Sequence, residues 1–124
     1  MNVARAFALG AAVAMLAGCA ATHRPDVERV ATAFATGDPG ARCALLAPAT
    51  RAAVERAGPC TTAIGTAPPD GGRVSETSVW GDNAQVRLSG DTLFLTRIGG
   101  GWKVAAAGCT PNGDLPYSCR VEGP

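Results

Sequence analysis

The spacing of apolar residues changes character once along the chain, near its middle. Val27, Val30, Ala31 and Phe34 fall three and four positions apart, which places them on one stripe of a helix, with Glu28, Arg29 and Thr32 on its other faces. Gly37 stops that helix and Asp38-Pro39 starts another. The Asp38 side chain can accept from free amides at the new helix start, and Pro39 suits a first position where its missing N–H is not needed. This second helix carries Arg42, Cys43, Leu45 and Leu46. Pro48 opens a third short helix running through Ala57, which Gly58-Pro59 ends. None of the three is long enough to stand alone in water, so they need a surface to pack against.

The second half supplies that surface. Thr61 to Arg73 is rich in proline and glycine and reads as a loop. Beyond it, "RVSETSVW", "NAQVRLSG", "DTLFLTRI" and "GWKVAAAGC" are short runs of β-branched and aromatic residues, separated by Gly81-Asp82-Asn83, Gly90-Asp91 and Gly99-Gly100-Gly101. Ala84, Val86 and Leu88 alternate with Gln85, Arg87 and Ser89, the pattern of a strand with one buried face, and Trp102, Val104 and Ala106 alternate likewise against Lys103. Connections this short predict an antiparallel meander, with "YSCRV" pairing at an edge. Helices first and a meander after predict an α+β fold, N-terminal short helices packed on a curved antiparallel sheet.

Ahead of these elements, Arg5 precedes an apolar run from Ala6 to Leu16 and then small residues, the three parts of an export signal. A run of about 11 residues is too short for a membrane-crossing helix, which needs roughly 20. Leu16-Ala17-Gly18-Cys19 matches, residue for residue, the lipobox of bacterial lipoprotein signal peptides. That resemblance implies a diacylglyceryl thioether on Cys19 and cleavage after Gly18. The expected organisation is a lipoprotein signal peptide over 1–18, a lipidated tether over 19–25 and a single α+β domain over 26–124. His23, the only histidine, falls in the tether and reads as a solvated residue, because a flexible tether cannot hold a catalytic base in place.

The chain has 124 residues and a net charge of +1, so it offers no field to recruit nucleic acid. Aromatic residues make up only 5%, and a core of small side chains gains from covalent staples. Of five cysteines, four remain once Cys19 is lipidated, an even number in an exported chain. Three connectivities are allowed. Sequential pairing, Cys43–Cys60 and Cys109–Cys119, closes the shortest loops, and each bridge contributes about 3 kcal/mol by loop-closure entropy. The spacing contains no Cys-x-x-Cys pair and therefore argues against zinc.

Catalytic chemistry is sparse. Ser75, Ser78, Ser89 and Ser118 have no ordered histidine to activate them. Asp82, Asp91 and Asp114 sit beside glycine or asparagine and read as turn residues. "GGGW" lacks the helix and lysine of a phosphate loop. Arg87, Arg97 and Lys103 form either a solvated sheet face or a basic stripe for an acidic partner. Trp80 and Trp102 read as core; a pocket between helices and sheet lined by Phe34, Trp80, Phe94 and Trp102 would instead make the domain a carrier. Only Tyr117 with a nearby carboxylate could stand in for an enzyme's acid or base.

The order of elements resembles the cystatin-like α+β fold of the nuclear transport factor 2 type. The stretches "CALLAPATRA", "VWGDNAQVRLSGDTLFLTR" and "GGWKVAAAGCTPNGDLPYSCRVEG" are similar to a family of small, uncharacterised actinobacterial lipoproteins, over about residues 26 to 124. The resemblance implies a fold and an anchor but no activity. The expectation is a non-catalytic envelope lipoprotein without cofactor or metal, held to the extracytoplasmic face of the cell membrane. Its partner would be an envelope protein or a small ligand; the alternative is carriage of an apolar molecule or lipid between helices and sheet.

Overall fold

The computed structural model describes the backbone of residues 3–65 and 72–124, with side chains from residue 20 onward. Among the described residues four helices, α1 (Val3–Thr36), α2 (Pro39–Leu45), α3 (Pro48–Glu55) and α4 (Cys60–Ala63), precede five strands. The strands are β1 (Val74–Trp80), β2 (Asn83–Leu88), β3 (Thr92–Ile98), β4 (Gly101–Asn112) and β5 (Leu115–Glu122). They form one antiparallel sheet in the order β1-β2-β3-β4-β5, so the meander expected from the turns is the topology found. The chain is α+β.

Local chemistry accounts for most boundaries. The Asp38 side chain accepts from Ala41 N at 2.8 Å, and Pro39 follows it at the start of α2. Leu46, expected at the end of that helix, instead forms a parallel bridge to Val104, and Ala47 N donates to Val104 O at 2.8 Å. The segment between α2 and α3 thus continues the edge of β4 where β5 does not reach. The loop expected over 61–73 begins within the one-turn helix α4, and residues 66–71 of it lie outside the described residues.

One side of the sheet is the core. Val27, Val30, Ala31, Phe34 and Ala35 of α1 pack on Ala84, Val86 and Leu88 of β2, Leu93 and Leu95 of β3, and Trp102 and Val104 of β4. The stripe on α1 and the alternation in the strands are those the sequence predicts. Thr77 of β1 joins this side by donating from Oγ1 to Glu28 Oε1 at 2.9 Å.

The tether expected over 20–25 is helical. α1 runs unbroken through Pro25, and His23 is partly buried with its ring centroid 5.7 Å from that of Trp102. Pro25 lacks the N–H for one helical bond, a penalty that favours a break at this point. Packing of His23 on the sheet offsets it, a contact between residues 79 positions apart in the chain that local sequence does not contain. Cys19 lies in the stretch whose side chains are not described.

Two disulfides, Cys43–Cys60 and Cys109–Cys119, join the pairs expected from loop length. The first ties α2 to α4. The second spans directly opposed residues of β4 and β5, whose Cα atoms are 4.0 Å apart.

Candidate functional site

Because side chains alternate across a strand, the residues between Leu93 and Leu95 and beyond them face away from α1. Phe94, Thr96 and Ile98 of β3 therefore lie on the outer side of the sheet, with Gln85 and Arg87 of β2 and Ala106 of β4, which register opposite them or opposite Thr92. Ala105 is an extra residue in β4, where the β3 register shifts, and its carbonyl accepts from Thr50 Oγ1 at 2.9 Å. That bond fixes the start of α3 against the outer side.

A kink at Gly108 builds the rest of the site. Gly108 has φ +65°, and a Cβ there would lie 3.1 Å from Arg120 Cβ, so both conformation and space favour glycine. The Asp91 carboxylate holds the kink: it accepts from Gly108 N at 3.1 Å and Cys109 N at 3.2 Å, besides its neighbour Thr92 N at 2.7 Å. Beyond the kink, Tyr117 of β5 reaches residues of β2 and β3, so the β4–β5 arm lies across the outer side. Its ring meets Phe94 edge-on with centroids 5.2 Å apart. Its hydroxyl oxygen accepts from Gln85 Nε2 at 3.2 Å and from Arg87 Nη2 at 3.5 Å.

Under this arm lies a cavity of about 600 Å³, within the size range of small-molecule sites. Phe94, Ile98, Ala105, Ala106, Pro116 and Tyr117 give it an apolar wall, with the first residues of α3 along one side and Glu122 as its charged residue. The arm's own contacts set its electrostatics. Hydrogen bonding from Arg87, and then from Gln85, favours the phenolate and lowers the Tyr117 pKa from its ordinary value. The same bond to Tyr117, followed by the charges of Tyr117 and Glu76, raises that of Arg87. Arg87 also pairs with Glu76 at 3.5 Å.

The pocket expected from Phe34, Trp80, Phe94 and Trp102 is not assembled. Phe34 is fully buried under the Arg42 guanidinium, 4.4 Å from its ring, and Trp102 is buried on the helix side. Trp80 is 50% exposed, and only Phe94 lines the cavity. The physical reason is strand parity: Trp102 registers with Arg97 on the helix side, whereas Phe94 registers with Ala106 on the other. The space between helices and sheet is filled by core, and the cavity is on the opposite side. Trp80, expected in the core, registers with Asn83 at the end of an edge strand and faces outward. Arg87, Arg97 and Lys103 do not form a stripe either. Arg97 turns to the helix side, where its Nε donates to Asp82 Oδ1 at 3.1 Å, and Lys103 Nζ donates to Ala44 O at 3.1 Å.

Sequence reading missed two residues. Asp91 is more than a turn residue, since it reaches across 17 positions to the Gly108 kink; a carboxylate in a turn and a glycine inside a strand carry no joint signal in sequence. Arg42 is buried: its Nη1 donates to Gly65 O at 3.3 Å and its Nε has no partner among the described residues. Burial lowers its pKa, partly offset by the charge of Asp91. Arg42, Asp91 and Arg120 border a second recess of about 90 Å³. Among the described residues, no group of three or more histidine, cysteine, aspartate or glutamate side chains is placed to hold a metal ion, and no helix is long and apolar enough to cross a membrane. Comparison of the chain with family models, with curated proteins and with solved structures gives no match.

Proposed function

We propose that the chain is a non-catalytic lipoprotein of the bacterial envelope, anchored through Cys19 to the extracytoplasmic face of the cell membrane, whose domain binds a small apolar ligand under the β4–β5 arm. The domain is read as a cystatin-like fold of the nuclear transport factor 2 type. The observation that carries the binding reading is the cavity of about 600 Å³ with largely apolar walls, which a core-filling role would leave closed. The anchor rests on the lipobox resemblance at Leu16 to Cys19, and the non-catalytic reading on the cavity lining, where among the described residues no histidine stands beside the hydroxyls of Thr50 and Thr96 to activate them.

An uncharged fluorescent probe, N-phenyl-1-naphthylamine, tests the binding reading. Ala106→Trp puts an indole into the cavity from the strand that floors it and should abolish the probe's fluorescence gain, while Ser78→Trp, on the same side of the sheet but away from the cavity, should not. Equal fluorescence from both variants and the parent would refute the site. Replacing Cys19 by Ala should end labelling with a fatty acid analogue, and persistent labelling would refute the anchor.

A further inference from the structure

The described part of α1 fixes which end of the domain faces the lipid anchor. His23 Nε2 lies 3.5 Å from Arg97 Nη1 and its ring packs on Trp102, near the start of β4. At its other end α1 reaches Phe34, which lies beneath Arg42, and Arg42 feels the charge of Asp91 in the turn between β2 and β3. α1 therefore lies along the sheet with its amino-terminal side at the β1–β2 and β3–β4 turns. Those turns are neighbours: Arg97 N, beside the β3–β4 turn, donates to Asp82 O, in the β1–β2 turn, at 2.8 Å.

Cys19 is four residues before His23. That is about 6 Å along the axis of a continuing helix and at most about 14 Å if the chain is extended. A lipid on Cys19 thus holds both turns close to the bilayer. At this same end stand two large apolar side chains in water, Trp80 at 50% and Ile98 at 44% exposure, each flanking one of the turns. One further apolar residue of this size is exposed, Leu115 at the tip of the β4–β5 arm, at the opposite end of the sheet; Trp80 and Ile98 are the two that stand together beside the anchor.

We propose that this end is a membrane-contact surface, and that Trp80 and Ile98 rest in the interfacial layer of the bilayer to which Cys19 is attached. Tryptophan is suited to that layer because its ring is apolar and its N–H can still reach water or headgroups. Arg24, exposed on α1 one residue after His23, adds a positive charge at this end, where the Asp82 carboxylate is paired with Arg97. The lipid anchor and the two turns then act together, as membrane attachment through two signals does. The proposal rests on the anchored reading and adds to it a fixed orientation: the sheet stands with its strands running away from the membrane.

The test uses the full lipidated chain and its Trp80→Phe variant, each reconstituted in vesicles of phosphatidylcholine and phosphatidylglycerol. The difference between the two emission spectra is the signal of Trp80, because the only other tryptophan is the buried Trp102. The expected result is that this difference signal loses quenching by aqueous acrylamide and gains quenching by lipids brominated high on the acyl chain, while Trp102 is unchanged. If the chain floats with the vesicles but Trp80 remains open to acrylamide and blind to brominated lipid, the anchor stands and the contact surface is refuted. If the chain does not float, both readings fail. Shielding of Trp80 in native membranes but not in pure lipid vesicles would assign this end to a protein partner and overturn the proposal.

Discussion

Replacing Asp91 should weaken the whole β4–β5 arm, because one carboxylate supports the kink from which the arm folds. In Asp91→Ala, the amides of Gly108 and Cys109 lose their acceptor at positions shielded by Arg120 and the disulfide, and Thr92 N loses its local one. Each partly buried donor left unpaired costs about 1–3 kcal/mol. Arg42, buried and short of partners, also loses the charge that offsets its desolvation. Partial exposure of Asp91 reduces the sum, which comes to about 3 kcal/mol, or a fall in Tm of roughly 15 °C for a domain of this size. Asp91→Asn separates the contributions. Its amide oxygen can keep Thr92 and Cys109, but its NH₂ then faces Gly108 N, so a loss of about 1–2 kcal/mol is expected. Urea denaturation of the oxidised chain measures both. An Ala variant within about 1 kcal/mol of the parent, or an Asn variant as unstable as Ala, would refute the role given to the carboxylate.

Further outcomes follow from the contacts of Tyr117 and from the disulfides. Tyr117 is the only tyrosine, so absorbance near the phenolate band reports it alone; it should titrate below the ordinary value of about 10, and Arg87→Ala should move it back up. In sign terms, a phenol whose pKa is lowered by folding adds stability that is present above its unfolded value and is lost as pH falls through the folded one, so the oxidised domain should gain slightly on approach to pH 10. Gln85→Ala should move the Tyr117 titration in the same direction as Arg87→Ala but less, since its neutral amide stabilises the phenolate less than the charged guanidinium does. Replacing Cys43 and Cys60 together by Ser should lower stability by about 3 kcal/mol, and non-reducing peptide mapping of the parent should recover only the two sequential pairs.

Much of the fold is legible in the sequence because it is set by short-range chemistry. The three glycine-bearing turns, the alternation in Ala84 to Leu88 and the stripe from Val27 to Phe34 each specify an element, and two-to-four-residue connections leave a meander as the simplest pairing. The four cysteines beyond Cys19 and the short loops between them give the disulfides. The site was not legible, and the reason lies in parity. A pocket between helices and sheet needs Phe94 and Trp102 on one side, whereas the β3–β4 turn pairs Trp102 with Arg97 on the side opposite Phe94. One extra residue at Ala105 and one kink at Gly108 bring the β4–β5 arm and Tyr117 over Phe94 instead. Neither is marked in a run reading "KVAAAGC", where small residues fit either side equally well. The helical state of residues 20–25 was hidden for a related reason: it depends on Trp102, in another part of the chain, offering His23 a surface.

The two disulfides have a consequence for how the chain reaches its folded state. Cys43 and Cys60 both precede Cys109, and neither loop encloses a cysteine of the other bridge. On the proposed envelope reading, with Cys19 taken by lipid, a chain threaded amino end first into an oxidising compartment would present Cys43 and then Cys109 with its proper partner as the next thiol to emerge. Cys43 could be sealed to Cys60 while the sheet was still on the far side of the membrane. Mispaired intermediates, and the isomerase turnover needed to repair them, would then be avoided by the order of the cysteines alone.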